Sequence, residues 1–272
     1  MVARLWQIAN ATLAADFFDT LILNNTFTAP WEYIRKISPQ PRTDDAFITD
    51  YDYIQPVVDP SSIDLRCGRN ASTAWNSPKT AVVHAGDTIG FAVNTTVGLP
   101  IKDAPVNPWD RYPNMYHPGP LTVWLSPSED LLSYQGTNPW VKILSVVNRT
   151  AQSVPPTDDY TWKHQWGAYQ APSWNFTIPT STPAGAYLLR IEQIYPVPVG
   201  ELGSQGAQFY ANCAHLRVVN DGDAKEPADN FKVNIPGVYT YGQPEIYRWV
   251  DIGNETFDIR DFVEPGPKVW EG

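Results

Sequence analysis

Between Gln208 and Val219 the chain reads QFYANCAHLRVV, twelve residues without proline or glycine. Extended, that stretch sends Gln208, Tyr210, Asn212, Ala214, Leu216 and Val218 to one face and Phe209, Ala211, Cys213, His215, Arg217 and Val219 to the other. Neither row is purely apolar. Such a strand fits a path across a two-layer core with polar groups at one end. A buried, hydrogen-bonded Gln and a half-disulfide would account for the same residues in a plain core strand.

The rest of the chain is cut into similar short pieces. Its 26 Pro and 17 Gly, with 11 Trp and 14 Tyr, favour many short strands joined by turns over long helices. At 272 residues it can bury a sizeable core, as one large β domain or two small ones. A net charge of −10 argues against nucleic acid or an anionic membrane as partner and suits a neutral polymer. No run of 18 apolar residues is present to cross a membrane as a helix. Seven N-x-S/T sequons, at Asn10, Asn24, Asn70, Asn94, Asn148, Asn175 and Asn254, point to a secreted, extracellular glycoprotein. In that compartment Cys67 and Cys213 would pair as one disulfide, with two buried free thiols as the alternative.

Secretion calls for a leader, and MVARLWQIANATLAA is a poor one because Gln7, Asn10 and Thr12 interrupt its apolar middle. Residues 1–14 are therefore expected to be a non-native or signal-remnant segment, such as a mis-called gene start. Residues 15–272 would then form the domain. Within it, DFFDTLIL, a turn at Asn24-Asn25 and a second extended piece follow one another. Residues 80–94 read as two strands around Ala85-Gly86-Asp87, and residues 173–194 as two strands around a Pro/Gly turn. His84, just before a turn, reads as structural, and His164, in a Pro- and Trp-rich loop, as solvated.

GAQFYANC at residues 206–213 resembles the last core strand of the auxiliary activity family 9 lytic polysaccharide monooxygenases, formerly called glycoside hydrolase family 61. The resemblance extends to WEYIR at 31–35, IDLRC at 63–67, AGD at 85–87, HPGP at 117–120, YLLRIE at 187–192, IPGVY at 235–239 and PGPKVW at 265–270. It implies one immunoglobulin- or fibronectin-like antiparallel β-sandwich with long loops and no appended carbohydrate-binding module. It also implies one copper ion, held by His117 and an N-terminal His, with Tyr210 in the axial position and Gln208 and Tyr210 as catalytic residues. Family members begin at that His; the matching position here is Ala15. A further family His, beside the copper-bound oxygen, falls on Val197. Tyr247 is the candidate for stacking on sugar rings, ahead of Tyr239 and Tyr241.

Two functions follow. One is a copper-dependent monooxygenase, monomeric, using an external electron donor on cellulose or a related β-1,4-glucan. The other is a catalytically inactive or altered homologue that binds glycan or cell wall without oxidative cleavage. A paired-carboxylate hydrolase has no patterned acidic pair to support it. Ala15 in place of a His ligand predicts that the chain as written binds Cu(II) poorly, and Val197 predicts slowed oxygen activation or a different chemistry.

Overall fold

A computed structural model of the chain describes residues 17–41, 50–94, 114–154, 166–200, 206–249 and 259–272. Ala15, His164, Asn10 and Asn254 lie outside them. In chain order the strands are β1 (Phe17–Leu23), β2 (Thr26–Phe27), β3 (Ala81–His84), β4 (Thr88–Asn94) and β5 (Leu121–Ser128). There follow β6 (Trp140–Val146), β7 (Ser173–Thr177), β8 (Gly185–Tyr195), β9 (Gln208–Val219) and β10 (Lys232–Val233). The smaller sheet has the order β2-β1-β4-β7 and the larger β10-β6-β5-β8-β9-β3. Helical structure among the described residues is limited to single turns, such as Asp50–Tyr53 and Ile63–Leu65. The all-β sandwich expected from the sequence is what forms.

Local chemistry explains the turns. Asn24 and Asn25 both take positive φ, 50° and 58°, the backbone that a two-residue β-hairpin needs and that Asn tolerates. The turn at Ala85-Gly86-Asp87 is present but does not close a hairpin. It sends β3 to the edge of the larger sheet and β4 into the smaller one. The segment between β7 and β8 makes the same crossing, and the two crossings are tied by Gly86 N to Ile178 O (2.8 Å) and Ile178 N to Asp87 O (3.0 Å). One pairing departs from the antiparallel rule: β3 runs parallel to β9.

The core between the sheets takes Phe18, Leu21, Phe91 and Phe176 from one side and Val123, Leu189, Ile191 and Leu216 from the other. The opposite face of the larger sheet is also covered. Loop residues Ile37, Ile54, Leu65 and Cys67 pack there on Leu188, Phe209 and Cys213. This second layer explains the mixed rows of β9, because both of its faces are buried over most of their length and Gln208, Tyr210, Asn212 and His215 each have a hydrogen-bond partner. Cys67 and Cys213 form the disulfide that pins the loop layer to the strand.

Beside that bond, the buried Arg35 guanidinium donates from Nε to His215 Nε2 at 2.9 Å. Its remaining donors reach the carbonyls of Ala71, Ser72, Leu131 and Tyr134. Arg190 bonds the carbonyls of Leu65 and Arg66 and pairs with buried Glu192, which also accepts from Tyr239 Oη at 2.7 Å. Unpaired buried polar groups are costly, so these contacts fix the loops in one position.

Candidate functional site at one end of the sandwich

The inward row of β8 and β9 changes character along its length. Tyr187 with Leu216, and Leu189 with Ala214, face the other sheet in register. Past Ile191 and Asn212 the row continues with Gln193 opposite Tyr210 and Tyr195 opposite Gln208. Asn212 Oδ1 accepts from Phe18 N at 2.8 Å, where the smaller sheet meets the row. Beyond that point the loop carrying His117 lies over the strands.

Three features hold that loop. Gln193 Nε2 donates to the His117 carbonyl, and Ile194 N donates to Pro120 O at 3.1 Å. A Cβ on Gly119 would stand 1.8 Å from Ile194 O, so the His-Pro-Gly-Pro run can lie this close to β8 only with glycine at that position. The flanking prolines restrict φ on either side.

The His117 ring is 5% exposed and stacks on Tyr195 (centroids 4.4 Å apart, 12°) and Tyr210 (5.5 Å, 23°), with Tyr116 edge-on at 5.2 Å. Burial pushes its pKa down to about 3, so the ring is neutral. Among the described residues no hydrogen bond reaches either ring nitrogen. Tyr210 Oη donates to Gln208 Oε1 at 2.7 Å. Thus His117, Gln208 and Tyr210, chosen from the sequence, come together at one end of the fold.

The aromatic candidates divide differently. Tyr247 is buried, its ring against Gly206 and its hydroxyl without a partner, and burial pushes its pKa up to about 12. Tyr239 is buried on Glu192. Tyr241, edge-on to Tyr247 at 5.2 Å, is 54% exposed and is the member of the three that solvent can reach. Val197 is fully buried in the same apolar cluster as Tyr210 and Tyr247. Tyr195 and Gln193 were not singled out from the sequence. Their signal was the alternation of β8, which puts both on the face of Tyr210 once the strands are paired. Of the sequons, Asn24, Asn70 and Asn148 are exposed, whereas Asn175 wedges its buried Oδ1 against Gly90.

The family model for Auxiliary Activity family 9 matches residues 16–258. The chain belongs to this family. Its relatives include the AA9 family lytic polysaccharide monooxygenase C of Emericella nidulans, 32% identical over 94% of this chain and 91% of that one. Monooxygenase U of Thermothielavioides terrestris is 29% identical over 93% and 90%. Among solved structures, a cellulose-active polysaccharide monooxygenase from M. thermophila superposes with a TM-score of 0.62 at 24% identity, covering 94% of this chain and 99% of that one. Cel61B from Hypocrea jecorina gives 0.61 at 19% identity, over 94% and 100%. The last two establish the sandwich and nothing further.

Family membership implies copper, and the side chains present can be compared with what that ion needs. Cu(II) favours a tetragonal set of several nitrogen and oxygen donors. The described part of this end supplies one imidazole, His117, with the phenols of Tyr116, Tyr195 and Tyr210 around it, and Tyr210 Oη donates to Gln208. Ala15 lies outside the described residues and carries no metal-binding side chain. Among the described residues no three His, Cys, Asp or Glu side chains converge. The donor set among the described residues does not fit a copper ion.

Proposed function

We propose that this chain is an extracellular member of the lytic polysaccharide monooxygenase family that binds a β-1,4-glucan such as cellulose without copper-dependent cleavage in the form written. One observation carries the reading. The end of the sandwich that bears His117, Gln208 and Tyr210 keeps polar and aromatic groups for a sugar polymer but, among the described residues, offers a single imidazole. Exposed Tyr241 adds an apolar ring at the same end, beside Tyr247 and Gly206. A neutral glucan also suits a chain of net charge −10, since no phosphate or sulfate need be attracted.

The second reading is a monooxygenase on the same substrate, supplied by an external electron donor. The convergence of His117, Gln208 and Tyr210 favours it, and it needs a histidine where Ala15 stands. One experiment separates the two: incubation of the full chain with cellulose, Cu(II) and a reductant. Depletion of the chain onto the solid, with no oxidised oligosaccharides by mass spectrometry, is the expected result. Oxidised products above a protein-free control would overturn it in favour of the enzyme.

A further inference from the structure

The hairpin of β1 and β2 turns on Asn24-Asn25-Thr26, an N-x-T sequon. Asn24, Asn25, Thr26 and Phe27 are all exposed. The Phe27 ring is 62% exposed, although its cross-strand partner Ile22 is only 4% exposed. β2 is also the end strand of the smaller sheet, so among the described residues its outer edge is unpaired. An apolar ring on a free strand edge invites a second copy to pair there, and folded proteins blunt or cover such edges. β2 is short, but neither of its residues is a charged group or a proline.

Other sequons show what the fold permits. A glycan is bulky and hydrated, so a folded chain carries one only where the Asn side chain opens to solvent. Asn175 is packed into a sheet face. Its Oδ1 is buried against Gly90, and Gln152 clasps its backbone by accepting from Asn175 N and donating to Asn175 O, each at 2.9 Å. Asn70 spends its side-chain nitrogen on Ser38 Oγ at 3.1 Å. Asn24 sits at a hairpin tip, with a left-handed backbone (φ 50°) that Asn adopts readily.

We propose that Asn24 carries an N-linked glycan whose first sugars lie over Phe27 and close the free edge of β2. This rests on the extracellular part of the reading above, since the modification belongs to the secretory route. The donor is an oligosaccharide carried on a lipid diphosphate. The bond from the sugar's anomeric carbon to the diphosphate oxygen breaks, and a bond from that carbon to Asn24 Nδ2 forms. The lipid diphosphate leaves with the electron pair, and Nδ2 gives up one proton to it. Residues rise about 3.4 Å along a strand and paired strands lie about 5 Å apart, so Phe27 is within the span of the first sugars. The apolar face of a sugar ring then covers the aromatic ring.

The test secretes the full chain from yeast behind an added leader and maps its glycopeptides by mass spectrometry. The Asn24 peptide should be modified and the Asn175 peptide bare. Sedimentation velocity then compares the glycosylated chain, the same chain after enzymatic removal of the sugar, and Asn24→Gln. Loss of the glycan should strengthen self-association about tenfold, on the order of what burying one aromatic ring contributes. Phe27→Thr added to Asn24→Gln should abolish that gain. Enzymatic removal keeps the comparison independent of whether a variant is secreted. A bare Asn24 in a chain modified at Asn148 overturns the inference, and so does equal self-association with and without the sugar; both leave glucan binding standing. Sugar at no sequon overturns the extracellular reading along with it.

Discussion

His215 and His117 are both buried, and both are held as neutral imidazoles with pKa near 3. They lie on opposite faces of the larger sheet and have opposite fates. His215 sits under the loop layer, where burial and then the Arg35 cation keep the proton away. Around it every donor of Arg35 is used, the disulfide lies two residues away on β9, and Arg190 with Glu192 continues the network. His117 sits at the end of the inward row, among stacked rings, with its nitrogens uncommitted. The first region spends its polar groups on holding the loop layer to the strand, although His215 Nδ1 and Arg190 Nη1 are buried without a hydrogen-bond partner. The second is held by ring stacking and by the Gln193 contact to the His117 backbone.

The contrast can be broken most severely on the side of the loop layer. Replacing Cys67 and Cys213 with Ser opens a loop closed across 146 positions, and chain entropy sets the loss at about 5 kcal/mol. Urea unfolding of the double variant against the parent checks this; unchanged stability would mean the loop layer is held by packing alone. Arg35→Leu should cost about 4 kcal/mol, since it strands four carbonyls and the His215 acceptor in the interior. A loss below about 1 kcal/mol would show that water satisfies those groups as well as Arg35 does.

His215 also predicts a pH dependence whose sign is fixed. Its folded pKa, about 3, lies below the ordinary 6.5, so the unfolded chain takes up the proton first. Its stabilising contribution is complete above about pH 6.5 and declines as pH falls towards 3, at about 1.4 kcal/mol per unit. His117 adds a similar slope. His215→Gln retains an acceptor for Arg35 and removes one of the two, so between pH 7 and pH 5 it should lose about 2 kcal/mol less than the parent. Parallel pH profiles from urea melts would refute that assignment. The smallest effect belongs to the open side. Tyr241→Ala, removing an exposed ring, should weaken cellulose binding about threefold without changing the unfolding midpoint. An unaltered isotherm would exclude that ring from the contact.

Much of this was legible in the sequence. β9 announces itself through alternation, Cys67 and Cys213 pair as their compartment implied, and the family motifs bring His117 to Tyr210 and Gln208. What could not be read was the second layer over the larger sheet. Alternation tells which residues share a face, not how many layers cover it. For the same reason Ala85-Gly86-Asp87 could be read as a turn between two strands but not as a crossing between sheets, because a crossing and a hairpin use the same turn residues. Tyr247 looked like a sugar-stacking ring, but exposure depends on distant Gly206, which admits its ring into the core. Tyr195 escaped notice because its meaning comes from the register of β8 against β9, a long-range fact.

The most direct test of the whole account is calorimetric titration of the intact chain with Cu(II). One imidazole and a committed phenol predict no tight equimolar binding, with cellulose binding unchanged by the metal. Tight binding of one Cu(II) per chain, or cellulose binding that requires it, would contradict the reading of this chain as a glucan binder without copper-dependent cleavage.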